Sequence, residues 1–158
     1  MLHPPMTHFA VALPIISLII GLAYLYKPTE IMSKISTRFM IFASIFMIAA
    51  FFTGKSDGSD AYILLSGDGQ TLLKEHKNLG LYILISMLVI TAIKLFGCYK
   101  KVFKAEMISI VLLSVVAGTT LYQGKMGGDI TYKYGANVEQ YAEGMECIDD
   151  PEEFLEND

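Results

Sequence analysis

Four stretches of this chain are apolar on every side for the length of a lipid bilayer, which constrains its fold more than any other feature. They run Met6–Tyr26, Ser36–Thr53, His76–Phe96 and Ala105–Gln123. A helix needs about 20 mainly apolar residues to cross the hydrocarbon core of a membrane. A surface helix of a soluble domain carries a single apolar stripe instead. The pattern predicts an all-α integral membrane protein, a bundle of four transmembrane helices. Small residues recur in these segments, among them Gly21, Ala43, Ser44, Ala50, Gly80 and Gly118. They suit close helix approach in lipid, where hydrophobicity does not drive association. Pro14 lies inside the first segment and removes one backbone hydrogen bond, which predicts a kink there.

Charge is segregated along the chain. Glu139–Asp158 holds nine acids and no lysine or arginine, leaving seven acids against twelve basic residues in the rest. This divides the sequence into a four-helix membrane domain, 1–135, and an acidic, flexible tail, 136–158. No basic patch suited to nucleic acid is present. The two cysteines, Cys98 and Cys147, are far apart and form no paired motif. No basic residue precedes the first apolar segment and no small-residue cleavage site follows it, so it reads as a retained helix. Seven basic residues (Lys27, Lys34, Arg38, Lys94, Lys100, Lys101, Lys104) flank the first and third connections. Five (Lys55, Lys74, Lys77, Lys125, Lys133) lie at the other face. The positive-inside rule then places both termini outside a bacterial inner membrane. The second connection, Gly54–Glu75, is rich in glycine, serine and aspartate and reads as a long outer loop.

Internal similarity locates a candidate site. His8 opens the first helix and His76 the third. Gly54-Lys55-x-x-Gly58 ends the second helix and Gly124-Lys125-x-x-Gly128 the fourth. The histidine-to-glycine spacings are close, 46 residues from His8 to Gly54 and 48 from His76 to Gly124. The chain reads as two tandem helical hairpins related by a pseudo-twofold axis along the membrane normal. That axis brings His8 and His76 to one depth on opposite sides of the bundle. Ala12 and Gly80, one turn further on the same faces, leave room for a flat ligand. Lys55 and Lys125 end the other two helices nearby. Two imidazoles from facing helices suit one haem b, with the lysines as partners for its propionates.

Plainer readings exist for each group. The histidines and lysines suit interfacial anchors, and the glycines suit helix stops. Asp57, Asp60 and Asp129 suit solvated loop acids. His3 lies beside the membrane as an alternative ligand. Joined by the aspartates, it would favour zinc or copper over haem. The methionines read as core filling and Tyr24, Tyr26, Tyr62, Tyr122 and Tyr132 as interface belts.

The opening His3-Pro4-Pro5-Met6-Thr7-His8-Phe9-Ala10-Val11-Ala12-Leu13-Pro14, with His76 and Gly124-Lys125-Met126-Gly127-Gly128, resembles domain-of-unknown-function family 2231. The resemblance covers about Met1–Gly135. It implies a small bacterial membrane protein of four helices whose relatives look like cytochrome-type domains. Where the family pattern has His-Phe-Pro, this chain has His8-Phe9-Ala10, with its proline at Pro14.

The leading expectation is a b-type cytochrome-like protein that exchanges electrons with quinol or with a basic redox partner on the outer side. All three histidines fall at one face, so a complete transmembrane conduit is not expected. The acidic tail would steer the partner. Two other classes compete, a metal-binding or sensing membrane protein and a cofactor-free subunit of a larger complex. No hydrolytic constellation is visible. The helices read as lacking buried charge, which argues against a transporter.

Overall fold

A computed structural model describes residues 2–136. The acidic stretch Glu139–Asp158 lies outside the described residues, as does nearly all of the expected tail. Four helices account for the described chain: α1 (His3–Tyr26), α2 (Glu30–Tyr62), α3 (Gly67–Lys100) and α4 (Phe103–Tyr134). All four are long and apolar enough to cross a membrane. Short connections make consecutive helices antiparallel neighbours. Each helix packs on two others, in the ring order α1, α2, α3, α4, so α1 faces α3 across the bundle diagonal.

Local chemistry sets the helix ends. Pro4 and Pro5 occupy the first turn of α1, where a missing N–H is harmless. Thr29 and Ser66 accept hydrogen bonds from Met32 and Gly69 as N-caps of α2 and α3. Gly135 closes α4 at φ 69°, a left-handed conformation that favours glycine. α1 continues through Pro14, which is buried in the bundle.

Burial repeats along the chain. The buried positions Ala10, Pro14, Ser17, Gly21 and Tyr24 of α1 recur as Ile83, Met87, Ile90, Lys94 and Gly97 of α3, an offset of 73 (83 − 10 = 73). The seven buried positions from Ser33 to Met47 in α2 map at the same offset onto those from Glu106 to Thr120 in α4. Met40, Ala43, Met87 and Leu113 are fully buried at the centre of this apolar core.

The helices are longer than the apolar segments suggested. α2, α3 and α4 have 33, 34 and 32 residues, against 24 in α1. At 1.5 Å per residue the three long helices reach about 50 Å, well beyond a hydrocarbon core of about 30 Å. The Gly54–Glu75 stretch is therefore not a loop. It forms the end of α2 and the start of α3, joined by 63–66 alone. Packing overrides the turn-forming composition. Ala61 and Leu65 are buried against Ile130 and Ala136, flanked by Leu72, Leu73 and Tyr134. Gln70 closes the connection by donating to the carbonyls of Tyr62 and Leu65, both at 3.1 Å. The glycine motifs do not stop their helices either, because Gly54, Gly58, Gly124 and Gly128 all lie within them.

Candidate functional site

At the end of the bundle that carries the N-terminus, two histidines point inward from diagonal helices. His3 begins α1, and His76 lies in the third turn of α3 rather than opening it. The His3 ring packs on α2. Its Nδ1 lies 2.9 Å from the Ala50 carbonyl and 3.5 Å from the Thr53 hydroxyl. A carbonyl only accepts, so Nδ1 donates, and in the neutral ring Nε2 keeps the free lone pair. The His3 backbone N–H donates to Asp57 Oδ2 at 3.1 Å, so a carboxylate of α2 caps the start of α1.

Both imidazoles rest against glycine. A Cβ at Gly54 would lie 2.6 Å from the His3 ring, and one at Gly127 would lie 3.3 Å from the ring of His76. The two pairs share the offset of the buried core, since 76 − 3 and 127 − 54 are both 73. Gln123 of α4 donates its amide to the His76 carbonyl at 2.8 Å. Gly80 admits that amide, since a Cβ there would meet Gln123 Nε2 at 3.0 Å. Gln123 Oε1 and His76 Nδ1 are both buried without a hydrogen-bond partner.

The remaining candidates fall elsewhere. His8 is exposed on the outer face of α1, its Nδ1 donating to the Pro4 carbonyl at 2.8 Å, and Ala12 on the same face is exposed too. His3, five residues earlier, therefore takes the inward place in this structure. Repetition of residue type had paired His8 with His76, whereas burial pairs His3 with His76. Lys55 and Lys125 are exposed near this end. Asp60 is exposed, and Asp129 pairs with Lys133 one turn along α4 at 3.0 Å. Among the described residues no three His, Cys, Asp or Glu side chains gather as a metal-ligand group.

The opposite end holds a charged cluster that corrects the reading of uncharged helix interiors. Lys94 is fully buried and forms an ion pair with Glu106, itself 3% exposed. Tyr24 and Ser33 donate to the same carboxylate at 2.9 and 2.5 Å. The ammonium also sits 4.3 Å from the centre of the Tyr24 ring. Each of the four helices supplies one group. The signal was in the sequence, because Lys94 and Glu106 fall within the third and fourth apolar segments, where charge is costly and is retained with a partner. Gln123, at the end of the fourth segment, is a weaker signal of the same kind.

Fold and composition together define a multi-pass membrane protein with four apolar helices in a lipid bilayer. Residues 1–140 match the model of DUF2231, described as a predicted membrane protein, and the chain belongs to that family. No curated protein and no solved structure matches it.

Proposed function

We propose that this is a small b-type cytochrome-like membrane protein whose haem is held between His3 and His76. One observation carries the reading. Two inward histidines stand on diagonal helices, and each faces a glycine of the next helix at one common offset along the chain. Haem sites in four-helix bundles are built from side chains on facing helices. The buried, unpartnered His76 Nδ1 supports such a site, and Gly54 and Gly127 make room for the two imidazoles. The recurrence of burial supports the pseudo-twofold arrangement that would set both ligands at one depth. His3 enters as ligand in place of His8 because His8 faces outward.

His3 would present Nε2, oriented by the Ala50 carbonyl, and His76 would complete the pair. Gly54 and Gly127 let the two imidazole rings pack against α2 and α4. Lys55 and Lys125 are the cations nearest in sequence to these glycines and would meet propionates. The bound haem supplies one-electron exchange, and the partners would be quinol or a basic protein on the outer side. By the positive-inside rule this end would lie outside a bacterial inner membrane, with the lysine-rich connections in the cytoplasm. Among the described residues the two inward imidazoles have no third ligand gathered beside them, which a protein-only zinc or copper centre would need.

The test is a reduced-minus-oxidised visible spectrum of the full chain, purified in mild detergent from haem-replete cells. Sharp low-spin b-type bands are expected. They should vanish in His3→Ala and His76→Ala and persist in His8→Ala. A folded but colourless wild type sinks the reading. Bands lost in His8→Ala but kept in His3→Ala return the ligand role to His8.

A further inference from the structure

The Lys94–Glu106 pair is buried, yet a path leads to it from outside the bundle. A cavity of about 200 Å³ lies at the lysine-rich end, lined by Tyr24, Glu30, Ser33, Cys98, Lys101 and Glu106 among others. Its mouth is polar and exposed, with Glu30 paired to Lys34 at 2.8 Å and to Lys101 at 3.8 Å. Its floor is the Glu106 carboxylate, together with the Tyr24 and Ser33 hydroxyls that donate to it. Lys94 lies outside the lining, so the acid is the member of the pair that faces the cavity.

The path closes a short way further in. Seven residues deeper along each helix from Tyr24, Ser33, Lys94 and Glu106 stand Ser17, Met40, Met87 and Leu113 (24 − 17, 40 − 33, 94 − 87 and 113 − 106 are all 7). Seven residues are two helical turns, about 10 Å. All four side chains of this layer are fully buried, and three are apolar. Ser36 lies one turn beyond Ser33, between the pair and the layer. The Ser36 and Ser17 hydroxyls are both buried without a partner. Where no protein group answers a buried hydroxyl, ordered water does. An ionisable group inside a membrane bundle that faces a cavity marks an ion or proton pathway.

We infer that the cavity is a one-sided aqueous inlet, and that Glu106 at its floor binds and releases protons exchanged with the lysine-rich face. The proton comes from hydronium in the inlet. One O–H bond of hydronium breaks, one forms on the carboxylate, and water is left. The new acid O–H donates to Ser33 Oγ, whose own hydrogen turns from Glu106 to inlet water. Lys94 keeps its charge and stays beside the Tyr24 ring, 4.3 Å from its centre. The carboxylate is faced by Tyr24 from α1, Ser33 from α2 and Lys94 from α3. Glu30, Lys34, Cys98 and Lys101 are the other titratable groups around the cavity. The layer beneath carries no charge, which separates the inlet from the histidine end.

Cys98, half-buried in the wall, is a native probe of the inlet. The full chain carrying Cys147→Ser is treated with a membrane-impermeant methanethiosulfonate in right-side-out and in inverted membrane vesicles. Ile63→Cys, at the exposed connection of the histidine end, marks the other face when both native cysteines are serine. Cys98 should react at least about tenfold faster from the face opposite Ile63→Cys, and Leu113→Cys should stay unlabelled from both. Proton binding is read as the infrared C=O stretch of a protonated carboxyl. Lys94→Met combined with Glu106→Gln is the reference, because it leaves no lone buried charge. Wild type minus this reference should show a band that grows as pH falls and shifts promptly in D2O, and Ser33→Ala should slow that shift. Cys98 labelling without preference for one face overturns the inlet, and labelling of Leu113→Cys overturns its closed end. A difference spectrum without the band, at every pH at which circular dichroism shows both proteins folded, overturns Glu106 as the proton site.

Discussion

Single atoms decide which histidine faces into the bundle. His3 and His8 stand five residues apart on one helix, so they cannot share its inward face at 100° per residue. His3 meets α2, and His8 meets the surroundings of the bundle. His8→Ala should therefore change stability by less than about 0.5 kcal/mol, as surface substitutions do. Gly54→Ala places a Cβ 2.6 Å from the His3 ring. The ring must shift, and overpacking of this kind costs about 1–3 kcal/mol. Thermal unfolding in detergent checks both, with a neutral Gly54→Ala counting against the tight cradle. The histidines and glycines were legible in the sequence as a repeat. Their register was not, because matching residue types aligned Gly54 with Gly124 while the packing aligns it with Gly127. Side-chain direction depends on helix rotation, which identical letters do not encode.

At the scale of elements, the most informative departure is the continuation of α2 beyond Thr53. Gly54-Lys55-Ser56-Asp57-Gly58-Ser59-Asp60 reads as a turn by composition, since these residues favour non-helical backbone when they are alone. Here the helix is retained by contacts distant in sequence. Ala61 and Leu65 bury against Ile130, and Gly58 approaches Leu73. Amides from Asp57 to Tyr62 should exchange with deuterium slowly, as in a packed helix. Exchange at the rate of an open loop would contradict the observed element. Leu65→Asp should strip that protection by placing a charge in the small cluster, while leaving the deeper amides around Met40 unaffected. The four apolar segments themselves were plain from sequence, because burial in lipid requires about 20 apolar residues whatever the tertiary contacts.

For the whole molecule, the buried Lys94–Glu106 pair fixes how the two helix pairs meet. Tyr24 and Ser33 come from α1 and α2, and the ion pair comes from α3 and α4. In lipid, apolar surface does not favour one helix partner over another, so hydrogen bonds and close packing set the register. Removing one member leaves the other charge uncompensated, a loss of about 3–5 kcal/mol. Lys94→Met should be strongly destabilising in detergent melts. Lys94→Met combined with Glu106→Gln should recover most of the loss. If the double variant is no more stable than Lys94→Met alone, the two groups do not act as a pair. By the 73-residue correspondence, Lys94 is the equivalent of Gly21 and Gly97 of Tyr24, so a large group in one helix pair replaces a small one in the other.

The sequence by itself determined the environment, the number of helices and the residue types at each end, because hydropathy and segment length are local quantities that lipid reads directly. Tertiary structure alone decided which histidine faces inward, that a glycine-rich stretch stays helical, and that a lysine and a glutamate twelve residues apart meet inside the bundle. Those outcomes depend on helix rotation and on contacts between distant segments, whose energies arise only once the helices are side by side.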